Sequence, residues 1–266
     1  MKLGIVADEI DRDFHKAVTV GRALGIERYE VRNLTTGRVP LCDPAELRAV
    51  ERAGVEITAI SPGLFKFTEN AADFARDMAE VYPRAADCAH RWKLPGIIVF
   101  GFHKLTDGSR PAELVEWLAR AGERAAADGL LLFIEPEPIC CCDTASGTAA
   151  LIRASGAASL RINYDPGNVA WLENRDPLND FEAAAPFVAN VHVKDLRPLT
   201  RGPAHPEWVP AGEGMIDYRA HFEALERIGY RGPVSLEPHM DGRPETIARC
   251  KSALEKCIAR KEETHA

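Results

Sequence analysis

An alternation of short β-rich runs with longer amphipathic runs constrains this chain more than any other feature, because repeated βα units restrict a fold to parallel sheets covered by helices. Eight such runs can be counted, at residues 3–8, 28–32, 55–61, 96–101, 130–135, 160–165, 187–193 and 233–237. Several are almost continuously apolar, as strands covered on both faces must be. The intervening segments repeat at helical spacing: Leu114, Leu118, Ala121 and Ala125 follow Pro111, and Ile247, Cys250, Leu254 and Cys257 line the last segment. Gly54, Gly129 and Gly229 each close a helical run before a strand, where a left-handed cap is expected. Eight units in 266 residues with no linker predict a single (β/α)8 barrel domain over 1–266.

Composition narrows the partners. A formal charge of −7 argues against a nucleic-acid backbone as ligand. No stretch is apolar for long enough to span a bilayer, and the start MKLGIVADEI reaches Asp8 and Glu9 before a signal-peptide core could form, so a cytoplasmic location is expected. Seven cysteines without scaffold spacing fit a reducing compartment, and the Cys140, Cys141, Cys142 run is read as loop packing. Self-association into a homo-oligomer is left open. The irregular stretch 195–215, rich in proline, follows the seventh run on the face where barrels build active sites, and is read either as a lid or as a structural excursion.

Four consecutive runs end in a side chain able to bind a metal: LLFIE at Glu135, RINYD at Asp165, NVHV at His192 and VSLE at Glu237. The steps 135 to 165, 165 to 192 and 192 to 237 are 30, 27 and 45 residues, two single repeats and one lengthened by the excursion. Any one of these acids alone reads better as a helix cap or ion-pair partner; four at equivalent positions read as a ligand set on one rim. Three carboxylates and an imidazole suit one divalent ion, Mn²⁺, Mg²⁺ or Co²⁺ by preference, with Zn²⁺ also compatible.

Neighbouring residues are substrate-side candidates. Asn168 contacts substrate, orients a ligand or caps the next helix. Lys194 shares the inward parity of His192 and is the better substrate contact, with Asp195 positioning it or the loop. Arg197, Glu213 and His103 are further substrate candidates, each with a structural role as its competitor. Glu30 and His239 fall at or beyond strand ends. Phe65, Phe67, Trp171 and Trp208 either close over an apolar sugar face or pack loops together.

The motifs IEPEP, NYDPGN, NVHVKD, GEGMIDY and VSLEPH, with GIVADEI and AISPG earlier in the chain, resemble the xylose isomerase-like barrel superfamily, and within it the sugar phosphate isomerase/epimerase proteins. The resemblance covers nearly the whole chain. It implies that Glu135, Asp165, His192 and Glu237 ligate the metal, that Glu135 and Glu237 also exchange protons with substrate, and that a small carbohydrate-like carbonyl compound reacts through an enediolate. Asn168 stands where ketohexose epimerases of this superfamily carry histidine, and Pro198 where they carry arginine, which argues against a free ketohexose. The alternatives are a metal-dependent dehydratase of an inosose or dehydroshikimate-like compound and, ranked lower, an apurinic endonuclease or a non-catalytic sugar-binding barrel.

Overall fold

The computed structural model describes residues 1–200 and 202–259. Arg201, inside the excursion, and residues 260–266 of the expected single domain lie outside the described residues. Eight parallel strands form one sheet: β1 (Lys2–Val6), β2 (Arg28–Val31), β3 (Glu56–Ile60), β4 (Gly96–Phe100), β5 (Leu131–Glu135), β6 (Leu160–Tyr164), β7 (Val188–Val193) and β8 (Pro233–Leu236). Their order is β3-β2-β1-β8-β7-β6-β5-β4, which curls into a nearly closed barrel with helices outside. The chain is a (β/α)8 barrel. Between β3 and β4 no ladder joins the described residues; the Phe100 amide instead donates to the carbonyl of Leu64 in the loop after β3 (2.9 Å).

Local chemistry explains the elements. Every residue of β4, GIIVF, is buried, because this strand has helices on one side and the barrel interior on the other. Gly54, Gly129 and Gly229 adopt φ of +63°, +70° and +71°, the left-handed conformation that ends a helix without a Cβ clash. The expected spacing of Leu114, Leu118, Ala121 and Ala125 is the buried stripe of helix Leu114–Ala127. The first run is shorter than expected. β1 stops at Val6 and residues 7–9 turn into a 3-10 helix, which lets the Asp8 carboxylate accept from the Asn33 side chain (2.7 Å).

Polar loops shape the mouth. After β2 the chain makes a two-residue hairpin, Asn33–Leu34 against Gly37–Arg38. After β7, Asp195–Leu196 pairs antiparallel with Trp208–Val209, so the excursion folds back as a ribbon rather than trailing free. Asp195 anchors it: Oδ2 accepts from the Gly212 and Gly214 amides (both 2.9 Å), and Oδ1 from Leu196 (2.8 Å) and Ile216 (3.3 Å). Cys140, Cys141 and Cys142 are free and buried, Cys142 packing so closely on Gly101 that a Cβ there would lie 2.1 Å from its own. Phe65 is buried, stacked on Phe102 at 4.7 Å and packed on Phe74 at 5.9 Å, so of the two uses expected for it the structure shows packing.

Candidate metal centre

Each of the four adjacent strands β5 to β8 delivers one side chain to the same end of the barrel. Glu135 is the last residue of β5, His192 lies in β7 opposite Ser235 of β8, and Asp165 and Glu237 stand one residue beyond their strands. Asp165 is also the N-cap of helix Pro166–Glu173, its Oδ1 accepting the Asn168 amide (3.0 Å). All four side chains are at most 5% exposed, and one donor atom from each lies within 4.8 Å of the others.

Burial of three carboxylates at this separation is unfavourable unless cations offset them. Lys194 Nζ lies 2.6 Å from Asp165 Oδ2 and 2.5 Å from Glu237 Oε2. Arg32 donates to Glu237 Oε1, to Glu9 (2.8 Å) and to Asp8 (3.1 Å). Burial alone would raise the Glu237 carboxyl, but Lys194 and His192 outweigh it and hold it well below the usual carboxylate range. Among the described residues no lysine or arginine pairs with Glu135, and burial pushes its carboxyl up to about 7 despite the attraction of His192. Burial opposes charging of His192, yet Glu30, Glu237 and Glu135 hold its ring well above the usual histidine range.

The cluster fits a divalent cation. Asp165 Oδ2 is fully buried and accepts no well-directed hydrogen bond among the described residues, although Lys194 stands at ion-pair distance. His192 presents Nδ1 to the cluster, 3.3 Å from Glu237 and 3.7 Å from Glu135, while Nε2 is 2.6 Å from Glu30 Oε2. A carboxylate behind a histidine fixes the ring and its tautomer, the usual support for an imidazole ligand. Glu30 is 2% exposed and also accepts from Asn190 (2.8 Å) and Ser235 (2.7 Å). Asn163 donates to Glu135 Oε2 (3.2 Å), and Asn168 to Glu135 Oε1 (3.1 Å) and the Pro136 carbonyl (2.9 Å).

Above the cluster opens a cavity of about 380 Å³ whose lining includes Glu135, Asn168, His192, Lys194 and Glu237 together with Arg32, Arg38, Lys66, Phe100, Trp171 and His239. Lys194 reaches its place because residue 167 is glycine; a Cβ there would lie 2.3 Å from Lys194 Cγ. The folded-back ribbon brings Trp208 edge-on to Trp171 (5.9 Å) and His239 (5.2 Å), and Trp171 Nε1 donates to the Pro203 carbonyl (2.8 Å). A wider groove of about 590 Å³ between helices Phe14–Ala23 and Pro44–Arg52 has no carboxylate in its lining.

Other sequence candidates lie off this cavity. Arg197 is exposed and paired with Glu207 across the ribbon (2.9 Å). Glu213 is exposed and paired with Arg249 of the last helix, on the outside of the glycine turn. His103 bonds the Lys104 carbonyl (2.7 Å) and faces Glu69 (3.2 Å), and Phe67 beside it is 69% exposed. Sequence reasoning passed over Arg32, Asn163, Asn190 and Ser235. For Asn163 and Asn190 a signal existed: each is an amide placed two residues before a candidate ligand, and so on the same face of its strand.

Comparison with known proteins places this architecture. Residues 22–257 match the family model described as the xylose isomerase-like TIM barrel. The chain belongs to that family. A relative from Escherichia coli K12, provisionally named an L-ribulose-5-phosphate 3-epimerase, is 27% identical over 158 residues, 59% of this chain and 54% of the relative. Inosose dehydratase of Lacticaseibacillus casei is 24% identical over 140 residues, 48% of this chain and 47% of that protein. The chain thus spans about half the length of these curated relatives. A xylose isomerase-like barrel protein from Mycobacterium smegmatis, solved in complex with magnesium, superposes with a TM-score of 0.72 at 20% identity, covering 97% of each chain. Among the described residues no helix is long and apolar enough to cross a membrane.

Proposed function

We propose that the chain is a divalent-metal-dependent isomerase or epimerase of a small polyhydroxylated carbonyl compound. Glu135, Asp165, His192 and Glu237 are its metal ligands, and Glu135 and Glu237 its proton-transfer pair. The observation that carries this is the buried quartet with His192 tied through Nε2 to Glu30, so that its Nδ1 faces three carboxylates. The oxygen-rich donor set favours Mn²⁺, Mg²⁺ or Co²⁺, with Zn²⁺ also compatible.

When bound, the cation supplies Lewis acidity towards a carbonyl and its neighbouring hydroxyl. The protein's own groups do the rest. Glu135 on β5 and Glu237 beyond β8 flank the cavity from opposite ends of the quartet, so one can take a carbon-bound proton while the other returns it. Asn163 and Asn168 fix the Glu135 carboxylate from two sides, and Arg32 and Lys194 fix that of Glu237. Trp171 lines the cavity, and Trp208 of the ribbon packs edge-on against it.

Dehydration is the second reading. It begins with the same proton removal and then expels a β-hydroxyl, and the similarity to an inosose dehydratase supports it. Mass analysis separates the two, since a lyase loses water. Asp165→Ala and His192→Ala should weaken metal binding in calorimetric titration while circular dichroism stays intact. Glu237→Gln that keeps its metal should exchange solvent deuterium into substrate slower by orders of magnitude; exchange at the wild-type rate would defeat the two-base assignment.

A further inference from the structure

Four lysine or arginine side chains line the cavity, and their partners separate them. Arg32 is shared by Asp8, Glu9 and Glu237. Lys194 lies between Asp165 and Glu237, and Lys66 is 2.9 Å from Glu137. Arg38 differs: among the described residues no carboxylate oxygen stands within ion-pair distance of it. Its Nε donates to the Ser61 carbonyl (2.7 Å) and its Nη2 to the Ser61 hydroxyl (2.9 Å), both neutral acceptors.

That placement is built rather than incidental. The hairpin after β2 carries Arg38 opposite Asn33, and the guanidinium lies 5.9 Å from the centre of the Phe100 ring. Gly63, at φ +82°, leaves the space it occupies; a Cβ there would lie 3.0 Å from Arg38 Nε and 3.2 Å from Cδ. Ser61 takes the edge of the guanidinium formed by Nε and Nη2. The remaining end-on edge, Nη1 with the second hydrogen of Nη2, is a fork that matches two oxygens of a carboxylate or phosphate. Burial and the nearby Arg32 disfavour its charge and outweigh the more distant Glu135, Asp8 and Glu237, a balance that a directly bound anion would relieve.

We propose that Arg38 is the docking cation for an anionic substituent of the substrate, a carboxylate or a phosphate, held on the β2 to β4 side of the cavity across from the β5 to β8 carboxylates. This rests on the proposed function insofar as it assigns the cavity to a substrate. It narrows the substrate from polyhydroxylated carbonyl compounds in general to those bearing an acid group. Asn33 and Lys66 line the same cavity, but their side-chain donors are engaged by Asp8 (2.7 Å) and Glu137 (2.9 Å), which leaves Arg38 as the group that docks the anion.

The test uses the full chain, first stripped of divalent ions with chelator so that the metal assignment does not enter. Inorganic phosphate and acetate are titrated separately into wild type, Arg38→Met and Arg38→Lys, read by calorimetry and by the rise in Tm. Wild type should bind at least one probe, phosphate alone pointing to a phosphate ester and acetate to a sugar acid. Arg38→Met should weaken that binding roughly ten- to a hundredfold, the loss expected for charge-assisted hydrogen bonds in a partly buried site. Arg38→Lys keeps the charge but lacks the fork and should fall between them, which also covers a misfolded methionine variant. Equal binding by wild type and both variants, or binding of neither probe by wild type, overturns the proposal. A separate Mn²⁺ titration of the wild type then shows whether the metal assignment stands or fails independently.

Discussion

Replacing Glu30 by glutamine probes how the histidine of the metal centre is held. Oε1 of Glu30 accepts from Asn190 (2.8 Å) and Ser235 (2.7 Å), and Oε2 from His192 Nε2 (2.6 Å). A glutamine keeps one acceptor. If its oxygen stays with Asn190 and Ser235, its amide N–H groups face Nε2, which must then give up its proton and accept, leaving the ring's one remaining proton on Nδ1. That atom points at Glu237 (3.3 Å) and Glu135 (3.7 Å), where a metal would require its lone pair. The reverse orientation sets the amide against two donors, at about 1 to 3 kcal/mol for each left unpaired. The first arrangement exchanges a charge-assisted bond of about 1.5 to 3 kcal/mol for a neutral one of about 1 kcal/mol, so stability should fall by about 1 kcal/mol. Metal affinity should fall more, roughly ten- to a hundredfold, as expected when the support behind a ligand is lost. Urea unfolding gives the first quantity, calorimetric titration with Mn²⁺ the second, and ring nitrogen shifts the tautomer. A Glu30→Gln protein that binds Mn²⁺ as wild type does, with Nδ1 unprotonated, would refute the reasoning.

Two further outcomes are expected. Asp195→Asn should destabilise the protein by about 2 to 4 kcal/mol in urea unfolding, because its amide would face two of the four backbone N–H groups that the carboxylate now accepts; a change below about 0.5 kcal/mol, the range of ordinary surface substitutions, would mean the ribbon is anchored elsewhere. Burial works against ionisation of Asp176, but the His221 ring and the Asp217 amide outweigh it and hold its carboxyl below the usual range. Its stabilisation is therefore complete above the unfolded value of about 3.9 and lost as pH falls through the folded value. The stability gap between wild type and Asp176→Asn should narrow with acidification, and a gap independent of pH would contradict this.

The barrel was legible because its units repeat and because parallel strands covered on both faces write themselves as apolar runs such as GIIVF. The quartet was legible for the same reason: each candidate ligand closes an apolar run, and although one such residue alone would read as a cap or ion-pair partner, four at equivalent positions point to one rim. Exact ends were less so. β1 gives way to a turn at Ala7 because Asp8 and Glu9 are drawn to Arg32, a partner more than twenty residues away that no local pattern reveals. The network under His192 joins Glu30 to Asn190 and Ser235 across 160 and 205 positions, distances that only the closed sheet makes short. Arg197 and Glu213 illustrate the converse. Proximity to the ligands in sequence suggested the cavity, but the ribbon and the glycine turn face them outward to Glu207 and Arg249.

The interrupted ladder between β3 and β4 gives this barrel what a fully laddered one lacks, two ends from which it can fray. Local opening of a sheet begins at strands with a neighbour on one side only and spreads inward at rising cost. Glu135 sits on β5, one strand from the β4 edge, whereas His192 on β7 lies three strands from that edge and four from β3. The four candidate ligands thus stand at graded distances from those two ends. The histidine and its buried carboxylate lie deepest in the sheet, and Glu135, fixed by Asn163 and Asn168 rather than by a lysine or arginine, lies nearest an end.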